Sequence, residues 1–119
     1  MADNNLLVFD ATLRDGSHAI KHQLPLETID HYCTEIDDAG LYTVVVGHGN
    51  GLGASSLQVG LSAHTDEEML TTARAKLKNT KLGIYMIPGF GTIEDNLEPA
   101  IEIGVDLFKI GCHSTEADI

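Results

Sequence analysis

A chain of 119 residues with 43% apolar content can bury a core of its own, and its two cysteines are too few for a disulfide framework. Its formal charge of −11 argues against nucleic-acid backbones and anionic lipid as partners. No apolar run approaches the roughly 20 residues that cross a bilayer, and Met1 to Asn5 is polar and acidic, unlike a secretory signal. One domain is therefore expected over 1–119, with Cys33 and Cys112 as free thiols in a reducing cytoplasm.

The chain alternates strand and helix signals with no linker between them. Leu6 to Thr12 reads as a buried strand. Ile29, Tyr32, Cys33 and Ile36 then recur at helical spacing, and Gly40 is placed to stop the helix. Leu41 to Gly47 is a β-branched run that predicts a second strand. The glycine-rich segment from His48 to His64 matches neither the dinucleotide nor the P-loop pattern and reads as a mobile loop. Thr65 to Glu68 forms a capping box for a helix carrying Met69, Leu70, Ala73 and Leu77. A third strand from Lys81 should end at Pro88. In the helix that follows, Pro99 fits only the first turn, so regular structure is predicted from Asn96 to Gly104. Val105 to Gly111 is a fourth strand.

Four strands, each followed by a helix or loop at about 35 residues per unit, imply an α/β fold with a parallel sheet. A doubly wound, flavodoxin-like sheet and a (β/α) barrel share that period. Polar residues follow every strand: Arg14, Asp15 and His18; His48 and Asn50; the glycines after Pro88; His113, Thr115 and Glu116. Loops that converge on one face favour a partial TIM barrel of about four βα units. Leu6, Val8, Val44, Val46, Ile84, Met86, Leu107 and Lys109 alternate along the strands and are expected to face the barrel interior.

Arg14, Asp15 and His18 are the candidate chemistry. Aspartate is a hard ligand for Mg²⁺ or Mn²⁺, arginine a planar fork for a carboxylate or enolate, and histidine the side chain that moves protons near neutral pH. An ordinary surface pair of Arg14 and Asp15 beside a solvated His18 would account for the same residues. His18 and His22 have metal-ligand spacing only on a helix, whereas Ala19 to Pro25 reads as loop, and His31 and His64 read as surface residues. Cys112 and His113 are adjacent, so on a continuing strand they point to opposite faces and do not form a nucleophilic pair.

The motifs DATLRDGSHAIKHQ, VVVGHGNGLGASS, HTDEEML, IPGFGTIEDN and CHSTEADI together resemble the 4-hydroxy-2-oxovalerate aldolase family of the DRE-TIM metallolyases, relatives of hydroxymethylglutaryl-CoA lyase. The resemblance implies an N-terminal half of an aldolase-type barrel over 1–119, with the C-terminal half absent. It implies cleavage of 4-hydroxy-2-oxo acids to pyruvate and an aldehyde, with Mn²⁺ or another divalent cation. Asp15 would be a metal ligand, Arg14 would bind substrate and stabilise the pyruvate enolate, and His18 would be the base for the C4 hydroxyl. An acylating aldehyde dehydrogenase is the implied partner. The family's His-x-His metal ligands have no counterpart in this sequence, and Val45, Asn50 and Ser114 stand where members carry glutamate, aspartate and cysteine. The chain alone is therefore expected to be inactive and to self-associate. The alternative is a non-catalytic half-barrel module for binding or assembly.

Overall fold

The computed structural model describes residues 6–87 and 90–111. Four parallel strands lie in one sheet in sequence order: β1 (Phe9–Asp10), β2 (Thr43–Val45), β3 (Lys81–Met86) and β4 (Leu107–Ile110). A doubly wound sheet reverses its strand order at a switch point; this one does not, as in a barrel. The architecture is a partial (β/α) barrel.

β1 is shorter than its apolar run because Leu6 and Leu7 are exposed ahead of it. A short helix that the sequence did not announce, α1 (Thr12–Asp15), follows at once and tightens into a 3-10 turn over Gly16–Ile20. The Asp10 carboxylate starts α1 by accepting the Thr12 N–H at 2.9 Å. α2 (Leu26–Ala39) buries Ile29, Cys33 and Ile36 at the expected spacing and ends at Gly40 with φ +77°. α3 (Asp66–Lys76) opens with both reciprocal bonds of the Thr65–Glu68 capping box, at 3.1 and 2.9 Å. Residues Ile93–Leu97 form a π turn, so α4 (Glu98–Ile103) starts two residues later than predicted, with Pro99 still in the first turn.

The apolar core lies between the sheet and α2, α3 and α4. Val44, Val46, Leu82, Ile84 and Met86 pack there with Ile29, Cys33, Leu70 and Ala100. Each fully buried aliphatic side chain contributes about 1.5–3 kcal/mol relative to exposure. This corrects the expected facing of the strands. Val44, Val46, Ile84 and Met86 point at the helices rather than into the barrel, whereas Leu107 and Lys109 do face the concave side. Register puts Phe9, Thr43, Val45, Gly83 and Tyr85 on that concave side with them. Leu6 and Val8 precede β1 and are exposed.

The glycine-rich segment also departs from expectation. His48, Leu52 and Ala54 are buried, and the Leu52 N–H donates to the Tyr85 carbonyl at 2.8 Å, so the loop is packed against the end of β3. No helix of the described residues is long and apolar enough to cross a membrane.

Candidate active site

The site is built where β1 ends. In the turn from Thr12 to Ile20, Leu13 and Ser17 are four apart and point inward, 5% and 3% exposed. Arg14 and His18, also four apart, share the neighbouring face and meet the same residue, Gly49. Arg14 Nη1 donates to the Gly49 carbonyl at 2.6 Å, and its guanidinium carbon lies 4.5 Å from the Tyr85 ring centroid. The His18 ring lies against Gly49 so closely that a Cβ there would fall 2.5 Å from Nε2. The turn is locked from within, since the Ser17 hydroxyl donates to the Arg14 carbonyl at 2.7 Å.

Arg14 enters a cleft of about 390 Å³ on the concave side of the sheet, lined also by Phe9, Ala11, Val45, Leu107 and Lys109. β1 and β4 are the two edges of the sheet, yet both reach this cleft, so the sheet curls around it. The described lining carries two cations and no carboxylate, which suits an anionic ligand with an apolar tail.

Behind His18 stand two further imidazoles. The His22 ring meets that of His18 edge-on at 5.0 Å and stacks on that of His48 at 3.6 Å, with 10° between the planes. His48 accepts the Asn50 N–H at Nδ1, 3.0 Å, which leaves its Nε2–H to donate to the Gly60 carbonyl at 2.9 Å. Both ring nitrogens thereby have a partner. Burial, followed by the neighbouring His48 and His18, pushes the His22 pKa below its ordinary value. Asp66 anchors the same loop by accepting the Gly53 N–H at 2.9 Å, and burial raises its pKa.

No family model matches the chain. Curated relatives do. A 4-hydroxy-2-oxovalerate aldolase of Serratia proteamaculans is 54% identical over 96% of this chain and 34% of its own length. One from Spirochaeta aurantia is 53% identical, and aldolase 2 of Salinispora arenicola 51%, each over 96% of this chain and 33% of the relative. By sequence, the chain is similar to 4-hydroxy-2-oxovalerate aldolases. It matches their N-terminal part and spans about a third of their length.

Against that aldolase pattern, the structure brings Arg14 and His18 together on Gly49 but leaves Asp15 exposed, its carboxylate without a hydrogen bond or ion pair to any described residue. The simple Arg14–Asp15 surface pair is not formed. Val45 is buried on the concave side at the place of the expected glutamate, and half-buried Asn50 meets His48 through its backbone. His22, read from sequence as a loop residue, is 6% exposed. Its burial follows from Lys21 and His22 both adopting left-handed backbone, with φ 54° and 61°, which no pattern of residue types announces. Tyr85 was also missed, because nothing in a strand sequence says which arginine will stack on it. His31 is exposed as expected, and half-buried His64 lies 3.7 Å from Glu68. The expectations on Cys112, His113, Ser114, Thr115 and Glu116 lie outside the described residues.

Proposed function

We propose that this chain supplies the Arg14–His18 portion of an aldolase that cleaves 4-hydroxy-2-oxo acids to pyruvate and an aldehyde. The observation carrying the reading is that Arg14 and His18 share Gly49 at the rim of a cationic cleft. The Gly49 carbonyl and Tyr85 ring orient Arg14, and its remaining N–H groups are available to an oxyanion. His18 is exposed and able to take the proton from the C4 hydroxyl. The C3–C4 bond then breaks, its electron pair passes into the pyruvate enolate, and Arg14 meets the charge on that oxygen. Protonation at C3 completes pyruvate, and the aldehyde leaves. That aldehyde is the reason an acylating aldehyde dehydrogenase is the partner implied.

A divalent cation such as Mn²⁺ belongs to this reading, with Asp15 as one ligand. The described residues do not by themselves fit one, since no group of three His, Cys, Asp or Glu side chains is placed to hold a cation.

The test is pyruvate release in a coupled dehydrogenase assay with Mn²⁺. The chain is assayed alone and after addition of the C-terminal portion of a relative that carries His-x-His. Turnover is expected only in the supplemented sample, and it should vanish in Arg14→Ala or His18→Ala. A folded complex that releases no pyruvate contradicts the reading.

A second reading, a half-barrel assembly module, is favoured by one observation. Phe9 and Ile110, on the two edge strands, are 50% and 52% exposed.

A further inference from the structure

We infer that His22 is a positioning residue for the His18 imidazole, a role that rests on the reading of His18 as the base. His18 sits on an exposed 3-10 turn, and no hydrogen bond to a described residue holds its ring. An imidazole so placed samples several rotamers unless packing restricts it. Two contacts do so. One is the Gly49 backbone, where no side chain would fit beneath the ring. The other is the His22 ring, edge-on at 5.0 Å.

His22 is in turn held on every side. It stacks on His48 at 3.6 Å, and a Cβ on Gly60 would lie 2.7 Å from its Cδ2. Its Nδ1 lies 3.2 Å from the Ser17 hydroxyl and 3.4 Å from the Gly49 N–H. His48 is itself pinned at both nitrogens by Asn50 and Gly60. Gly49 therefore touches Arg14, His18 and His22 together.

The backbone is strained to achieve this. Lys21 and His22 are consecutive non-glycine residues in the left-handed region, a conformation that persists only where the surroundings over-determine it. If the turn had only to reach α2, a relaxed loop would serve. Here the turn stacks the His22 imidazole on His48 and brings it against the exposed ring of His18. The support also suits its task electrostatically. Burial, with His48 and His18 nearby, lowers the His22 pKa and so disfavours a second charge 5.0 Å from the His18 ring.

The experiment is aromatic NMR on the isotope-labelled chain, reading the nuclear Overhauser contact between the His18 ring and the Gly49 α-protons. That contact is expected in the unsubstituted chain, retained in His22→Phe, which keeps a ring in the stack, and lost in His22→Ala. Amide signals of β2, β3, α2 and α3 report whether each variant is folded. Should His22→Ala fail to fold, His48→Leu, which removes the stacking partner, is expected to give the same loss. A His18–Gly49 contact of full intensity in either folded variant overturns the proposal. The readout is geometric, so its failure leaves the aldolase reading standing. A failed turnover assay likewise leaves the positioning role intact.

Discussion

The Asp37 carboxylate, in the last turn of α2, accepts the Thr80 backbone N–H at 2.8 Å, and the same oxygen takes the N–H groups of Asn79 and Lys78 at 2.7 and 3.0 Å. One buried anion thus closes the turn that delivers the chain into β3. Bonds from the Thr80, Asn79 and Lys78 amides outweigh burial and hold the Asp37 carboxyl below the ordinary carboxylate value. Asp37→Ala leaves these donors without their acceptor and should destabilise the chain by about 2–4 kcal/mol in urea unfolding. Because the folded value lies below the unfolded one, the contribution is complete above the unfolded pKa. It is lost as pH falls through the folded value. The stability difference between the parent chain and the Asp37→Ala variant should therefore shrink from neutral pH to pH ~2. A constant difference over that range would contradict the assignment.

Gly51 carries a second prediction. Its φ is +95°, and a Cβ there would lie 2.6 Å from the Tyr85 carbonyl oxygen. That carbonyl also accepts the Leu52 N–H, so the loop cannot retreat without losing its tie to β3. Gly51→Ala should cost about 1–3 kcal/mol of stability in urea unfolding. A variant as stable as the parent would mean that the loop is free to move.

These two examples mark what a reader of the sequence can and cannot see. The strands, α2 with its Gly40 stop and the Thr65–Glu68 capping box follow local rules, because period, cap and breaker are written within a few residues. The face each strand presents is a different matter. In β2, Val44 and Val45 are both apolar, and alternation cannot say which turns to the helices when both faces of a parallel sheet are covered or curled. At the site, residue type and motif order single out Arg14, Asp15 and His18 as candidates. Gly49 as the common seat of Arg14 and His18 is not legible, because it lies 35 residues from Arg14 and has no side chain to betray it. The His22–His48 stack depended on two unusual backbone angles, which sequence periodicity does not encode.

Cys33 is fully buried, and burial, with Asp30, Asp10 and Asp37 nearby, pushes its thiol up to about 12. The reactive thiolate is therefore scarce at neutral pH as well as inaccessible. In a Cys112→Ser background, Ellman's reagent should leave the native chain unlabelled and label one thiol once urea unfolds it. Rapid labelling without urea would place Cys33 outside the core.

Metal affinity tests the place given to Asp15. One exposed carboxylate with waters holds a divalent ion weakly. Calorimetric titration of the isolated chain with Mn²⁺ should show no site of micromolar or tighter affinity, and Asp15→Asn should change little. Tight stoichiometric binding abolished by Asp15→Asn would mean that this chain completes a metal centre alone.

Self-association is the last expectation. Among the described residues β1 and β4 are the outer strands of the sheet, and Leu7, Val8, Phe9 and Ile110 are 42% to 54% exposed around them. Open parallel edges beside apolar side chains favour pairing with another chain. The occupant favoured here is a second copy, since two sheets of four strands meeting at their edges would cover both concave faces. Opposing this, each copy carries a charge of −11, so repulsion should hold them apart at low ionic strength. Size exclusion with light scattering should then show the dimer fraction rising from about 0.02 M to 0.5 M salt, as the Debye length shrinks from over 20 Å to a few ångströms. Phe9→Asp, which adds charge at the β1 edge, should shift the balance to monomer at both salt levels. A cooperatively melting monomer at micromolar concentration, unmoved by salt, would show that the concave face needs no partner, and the assembly reading would fall.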